Sequence, residues 1–182
     1  MLLVIVMLES LITSKTRIRL LTKFFVNPKN IGYLRGLANE FNESTNSIRK
    51  ELNNLSEAGY LEINNDKNKV TYSANTDHPL FATIRKIIHQ YLGLESIVKM
   101  VLDRMGAVER ILIIGDYAKG LDTGTIEVII EGAKLNTDYI DQLSIKVEKE
   151  IKRKVQFLIT TNYQGEGMVL YSMLEINKQS IL

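Results

Sequence analysis

The sequence predicts an α+β chain of two small units, on three observations. Within the first eighty residues, three segments with apolar residues at helical spacing precede a strand–turn–strand pattern. After residue 106 a strand, a glycine-bearing loop, a strand, a helix and a strand follow one another. Between them lies a proline-opened stretch carrying two further apolar helical stripes. With 182 residues the chain has room for one large domain or two small ones with modest cores. A composition of 45% hydrophobic and 24% charged residues is that of an ordinary soluble protein.

The opening run from Met1 to Met7 is the most apolar stretch. It is too short to span a bilayer and lacks the basic front and cleavage site of a signal peptide. A packing strand or an overextended start is expected there, with no membrane partner and a cytoplasmic location. From Ser14 to Val26, Ile18, Leu20, Leu21, Phe24 and Phe25 recur at helical spacing, and Asn27-Pro28 stops the helix. A second helix is expected from Tyr33 to Phe41, with Leu34, Leu37, Ala38 and Phe41 on one side. Ser44 is a good N-cap for a third, Thr45 to Ala58, that buries Ile48, Leu52 and Leu55 and ends at Gly59. Tyr60 to Ile63 alternates as a strand, Asn64 to Asn68 is a turn cluster, and Lys69 to Tyr72 is the returning strand.

The run "LANEFNESTNSIRKELNNLSEAGYLE" resembles winged helix-turn-helix transcription regulators of the ArsR/MarR type. The resemblance implies DNA binding by the third helix, whose outward face would hold Thr45, Asn46, Arg49, Lys50 and Asn53. Hydroxyl, amide and guanidinium groups suit base edges and phosphates in a major groove. Lys67 and Lys69 on the wing would reach phosphate, which positions a protein without reading sequence. A winged helix used for protein contacts is the alternative. Charge bears on that choice, because net charge is only +2. The first 78 residues hold 10 Lys+Arg against 8 Asp+Glu, and the remainder 13 against 13. DNA affinity therefore has to come from local placement of charge.

Cysteine is absent, which excludes a disulfide framework, a thiolate zinc site, a thiol nucleophile and cysteine-based metal sensing. His78 and His89 are too few for a histidine-rich metal cluster. Asp77-His78-Pro79-Leu80 reads as a helix start with Pro79 at the first helical position, and Leu80, Ile84, Ile87, Ile88 and Tyr91 as one apolar face. After Gly93, Ile97, Val98, Val101, Leu102 and Met105 form another stripe. These linking helices fasten the halves together or make a dimer contact.

Strands are expected at Arg110 to Ile114, Thr125 to Ile130, Val155 to Thr160 and Met168 to Tyr171, with a helix from Tyr139 to Lys152. The run "ILIIGDYAKGLDTGTIEVII" is similar to minimal members of the nucleotidyltransferase superfamily. Those carry Gly-Ser, a turn with Ala-Lys/Arg-Gly, then Asp-x-Asp on the next strand. Nucleotidyl transfer needs two Mg²⁺ ions bridged by carboxylates. Here Gly115 and Gly120 are kept, Asp116 replaces the serine, Thr125 and Glu127 replace the aspartates, and Gln156 lies where the later strand would supply an acid.

The resemblance thus implies an inactive nucleotidyltransferase-like domain with no catalytic residue, no metal and no cofactor. One alternative is an unorthodox metal site made by Asp116, Asp122 and Glu127, with Asp122 reaching inward from a flexible loop. The expected organisation is a winged helix over 8–76, linking helices over 77–106 and the nucleotidyltransferase-like domain over 107–182. The expected function is a DNA-binding transcriptional regulator that binds duplex operator DNA as a homodimer. Its C-terminal domain would be a scaffold, or a sensor of an unidentified small-molecule effector.

Overall fold

The computed structural model describes residues 8–66 and 69–174, a mixed α+β chain. The expected strand at Met1 to Met7 and the wing residue Lys67 lie outside the described residues. The described chain divides into two compact units. One comprises residues 8–88 with 119–121, the other residues 89–118 with 122–174.

The first unit opens with α1 (Lys15–Phe25), whose N-cap Ser14 accepts the Arg17 N–H. Its Leu20, Phe24 and Phe25 are fully buried. Next is α2 (Leu34–Phe41), which closes on Asn42 in the left-handed region at φ 53°. Asparagine tolerates that conformation better than most side chains. Then α3 (Thr45–Glu57) begins at Ser44, whose Oγ accepts the Ser47 N–H at 3.2 Å. Ile48, Leu52 and Leu55 point inward as their spacing requires, and Gly59 at φ 78° turns the chain out of the helix.

The hairpin that follows is longer than its side chains suggest. β1 (Leu61–Asp66) and β2 (Lys69–Ala74) pair antiparallel, Leu61 opposite Ala74 and Asp66 opposite Lys69. Asn64, Asn65 and Asp66, expected in a turn, are ladder residues, and only two residues connect the strands. The backbone ladder supplies its own pairing, so a strand projecting beyond the core needs no apolar side chains. Gly32, before α2, adds a bridge on the outer side of β2, exchanging backbone hydrogen bonds with Tyr72 at 3.0 and 2.8 Å.

The proline-opened stretch differs from expectation. His78 Nδ1 accepts the Leu80 N–H at 3.1 Å and its ring packs on Tyr60, so 77–80 are turns. The helix, α4 (Phe81–Leu92), starts two residues after Pro79. Of the expected face, Leu80 and Ile87 are exposed while Ile88 and Tyr91 are buried, with Leu92 beside them. Gly93 at φ 79° separates α4 from α5 (Leu94–Arg104), which buries Leu94, Ile97 and Val101 and leaves Leu102 exposed. Among the described residues no helix is long and apolar enough to cross a membrane.

The second unit contains β3 (Gly106–Ala107), β4 (Arg110–Ile114), the single turn α6 (Gly115–Ala118), β5 (Thr125–Glu131) and β6 (Lys134–Leu135). After a 3₁₀ turn at Thr137–Tyr139 come α7 (Ile140–Ile151), β7 (Lys154–Thr160) and β8 (Met168–Ser172). Four strands form one sheet in the order β7-β5-β4-β8. β5 and β7 are parallel, and β4 is antiparallel to both β5 and β8. The helix between β5 and β7 makes the parallel crossover and buries Leu143, Val147 and Ile151. β3 and β6, which have no sequence signature, pair over two residues each.

Candidate nucleic-acid interface and glycine loop

Thr45, Asn46, Arg49, Lys50 and Asn53 are all exposed and share the side of α3 opposite Ile48, Leu52 and Leu55. Positions 45, 46, 49, 50 and 53 fall within less than half a turn of a helical wheel. Arg49 Nη1 donates a long bond of 3.4 Å to Asn46 Oδ1, which aligns the two side chains along the helix. Lys69 is exposed on β2, with its ammonium 3.5 Å from the centroid of the Tyr33 ring. That contact holds the side chain over an aromatic face and leaves its charge near solvent.

Three of the four cations of α1 are paired with carboxylates of the same unit. Arg17 Nε donates to Glu51 at 2.7 Å, Arg19 Nη1 to Glu43 at 2.8 Å and Lys23 Nζ to Glu40 at 2.6 Å. Glu51 is a buried carboxylate on α3 that periodicity does not reveal. Burial pushes its carboxyl up, but the bonds from Ser14 and Arg17 outweigh this and hold it below the ordinary glutamate value. Glu43, in the turn before α3, also accepts from Thr16 Oγ1 and from Ser47 Oγ. Pairing of this kind leaves Arg49 and Lys50, on the outward side of α3, as positive charge facing water.

In the second unit the chain leaves β4 at Gly115, in the left-handed region at φ 64°. Glu127 stands opposite Ile114 on β4 and beside Gln156 on β7, while Thr125 stands beside Lys154. The Glu127 carboxylate folds over Gly115, where a Cβ would meet Oε2 at 1.9 Å. Asp116 and Thr125 are exposed. Gly120 falls with 119–121 in the first unit, where a Cβ on it would meet the Lys23 backbone at 2.5 Å. Close backbone approach therefore accounts for that glycine without a nucleotide.

Asp122 does not reach inward from a free loop. It accepts the Tyr117 hydroxyl and a fork from Arg153, with Nη2 at 2.7 Å and Nε at 3.2 Å. Tyr117 Oη in turn accepts the Gly124 N–H, and Arg153 Nη1 donates to the Tyr91 carbonyl. Burial pushes the Asp122 carboxyl up, yet Arg153 and Tyr117 more than offset it and hold the group below its ordinary value. Burial and the bond to Asp122 raise the Tyr117 hydroxyl. The sequence hides this lock because Arg153 lies 31 residues beyond Asp122.

Mg²⁺ would need several converging oxygen ligands here. Among the described residues no group of three or more His, Asp or Glu is placed to hold a metal ion. Asp122 is committed to a guanidinium, and Lys154 and Gln156 occupy the neighbouring strand. The donor set does not fit the two-metal chemistry of nucleotidyl transfer. Glu131, a second buried carboxylate on β5, is likewise consumed, by Arg110 at 2.6 Å and by the Tyr163 N–H. Comparison with protein families, curated proteins and solved structures finds no match to the chain.

Proposed function

We propose that the chain is a DNA-binding transcriptional regulator acting in the cytoplasm. In this reading α1 to β2 form a winged helix-turn-helix, with α2, the three-residue turn and α3 as the reading motif and the hairpin as the wing. The order of helices, the bridge from Gly32 to Tyr72 and the inward plug of Ile48 and Leu52 are consistent with it. The second unit is a nucleotidyltransferase-like scaffold without catalytic activity, a reading supported by the strand–turn–strand–helix–strand order and by the unsuitable donor set. Binding as a homodimer to a two-fold operator follows from how such modules usually meet duplex DNA.

One observation carries the proposal: Thr45, Asn46, Arg49, Lys50 and Asn53 of α3 lie together on one exposed face with no carboxylate paired to Arg49 or Lys50 among the described residues, while three cations of α1 are paired with carboxylates. Arg49→Ala and Lys50→Ala are expected to weaken duplex binding. Each phosphate contact removed lowers the slope of log K against log salt by about one. If the double variant binds duplex DNA with unchanged affinity and salt slope, α3 is not the interface.

A further inference from the structure

The apolar residues of α3 do not by themselves fix how that helix is rotated. Ile48, Leu52 and Leu55 form a greasy stripe, and such a stripe tolerates small rotations and axial slips against its neighbours. Reading bases by hydrogen bonds does not tolerate them, because a donor displaced by about 1 Å misses its acceptor. Some directional contact has to set the helix.

The structure supplies two such contacts, eight residues apart, both made to α1. In the turn that leads into α3, Glu43 accepts from the Thr16 hydroxyl and from Arg19 Nη1. The same arginine nitrogen donates to the Phe41 carbonyl at 3.0 Å, so the clamp also grips the end of α2. Further along, Glu51 accepts from Ser14 Oγ at 2.8 Å and from Arg17 Nε at 2.7 Å. Each carboxylate is thus held by one hydroxyl and one arginine of α1 or its N-cap. Charge-assisted bonds of this kind are short and directional, unlike the stripe. Ser47, one turn into α3, joins the first clamp through Glu43 and Thr16.

We propose that Glu43 and Glu51 are positioning residues that hold α3 in reading register, so that discrimination between DNA sequences, rather than affinity for DNA as such, depends on them. The proposal rests on the reading of α3 as the DNA-contacting helix. Neither carboxylate faces the groove side, and Arg49, Lys50 and the backbone contacts that supply general affinity remain when either is changed. The third α1 ion pair, Lys23 with Glu40, ties α1 to α2. It provides an internal control.

The test uses the full chain and a duplex selected by the wild type from a random pool, with a scrambled duplex of equal length as reference. Glu43→Gln and Glu51→Gln are expected to reduce the ratio of selected to scrambled affinity by about tenfold, the size of one lost base contact, with scrambled binding kept. Glu40→Gln is expected to keep the ratio. Thr16→Val and Ser14→Thr, the first removing one hydroxyl leg and the second keeping the hydroxyl that caps α1 while crowding its bond to Glu51, are expected to shift it less in the same direction. They also carry the test if a glutamine variant does not fold by circular dichroism. Unchanged ratios in the clamp variants, or equal losses on both duplexes, overturn the proposal while the DNA reading stands. Failure of the wild type to select any duplex overturns both.

Discussion

Asp122→Asn separates a structural carboxylate from a metal ligand by the sign of its effect. In the structure Asp122 takes a fork from Arg153, whose side chain is only 10% exposed, and a bond from the Tyr117 hydroxyl. Asparagine keeps one carbonyl acceptor but loses the charge and half of the fork. Charge-assisted bonds contribute about 1.5–3 kcal/mol each, and the Asp122 carboxylate is partly open to water, which trims that figure. The variant should lose about 2 kcal/mol, or on the order of 10 °C in the melting of a unit this size. Had Asp122 stood in a cluster of unneutralised metal-ligating carboxylates, removing its charge would stabilise the metal-free protein.

The pH dependence follows the same sign. The folded carboxyl of Asp122 lies below its ordinary value, so its contribution is present above about pH 4 and fades as pH falls through the folded value. Wild type should lose stability on that acid limb, and Asp122→Asn should lose less there. Thermal melts followed by circular dichroism across roughly pH 3 to 7, from about one unit below the ordinary carboxyl values to well above them, give both readings. A variant as stable as wild type, with the same acid limb, refutes the lock.

Two further outcomes test the supports of each unit. Ile48→Ala removes a fully buried side chain from the α3 plug and should cost about 3 kcal/mol in denaturant unfolding; a loss under about 1 kcal/mol would mean that the plug is not the anchor. Gly115→Ala places a Cβ at φ 64° and should cost about 1–2 kcal/mol. Because Glu127 can swing aside, adding Glu127→Ala should recover only a small part, and full recovery would show that the clash rather than the backbone decides.

What could be read from the sequence divides along physical lines. The α3 plug, its Ser44 cap and the Gly59 exit were legible because capping and amphipathic spacing are local properties. So were the four sheet strands and α7, whose apolar residues face a core. The projecting end of the hairpin was not, since Asn64, Asn65 and Asp66 pair through backbone alone. Pro79 misled because His78 takes the Leu80 N–H and delays the helix to Phe81. Exposure of Leu80, Ile87 and Leu102 had no local signal either. At the candidate sites, sequence located the outward face of α3, because helical spacing alone separates it from Ile48, Leu52 and Leu55. It could not find the clamps at Glu43 and Glu51 or the Asp122–Arg153 lock, because each joins residues 24 to 37 positions apart.

If α3 reads duplex DNA as proposed, the chain has to discriminate between duplex sequences. The most direct measurement is selection of the full chain against a random duplex pool at low salt, repeated over a salt series. One sequence should be enriched, with affinity that falls as salt rises and a slope reduced by Arg49→Ala and Lys50→Ala. Recovery of no sequence above the starting pool, at any salt, would contradict it.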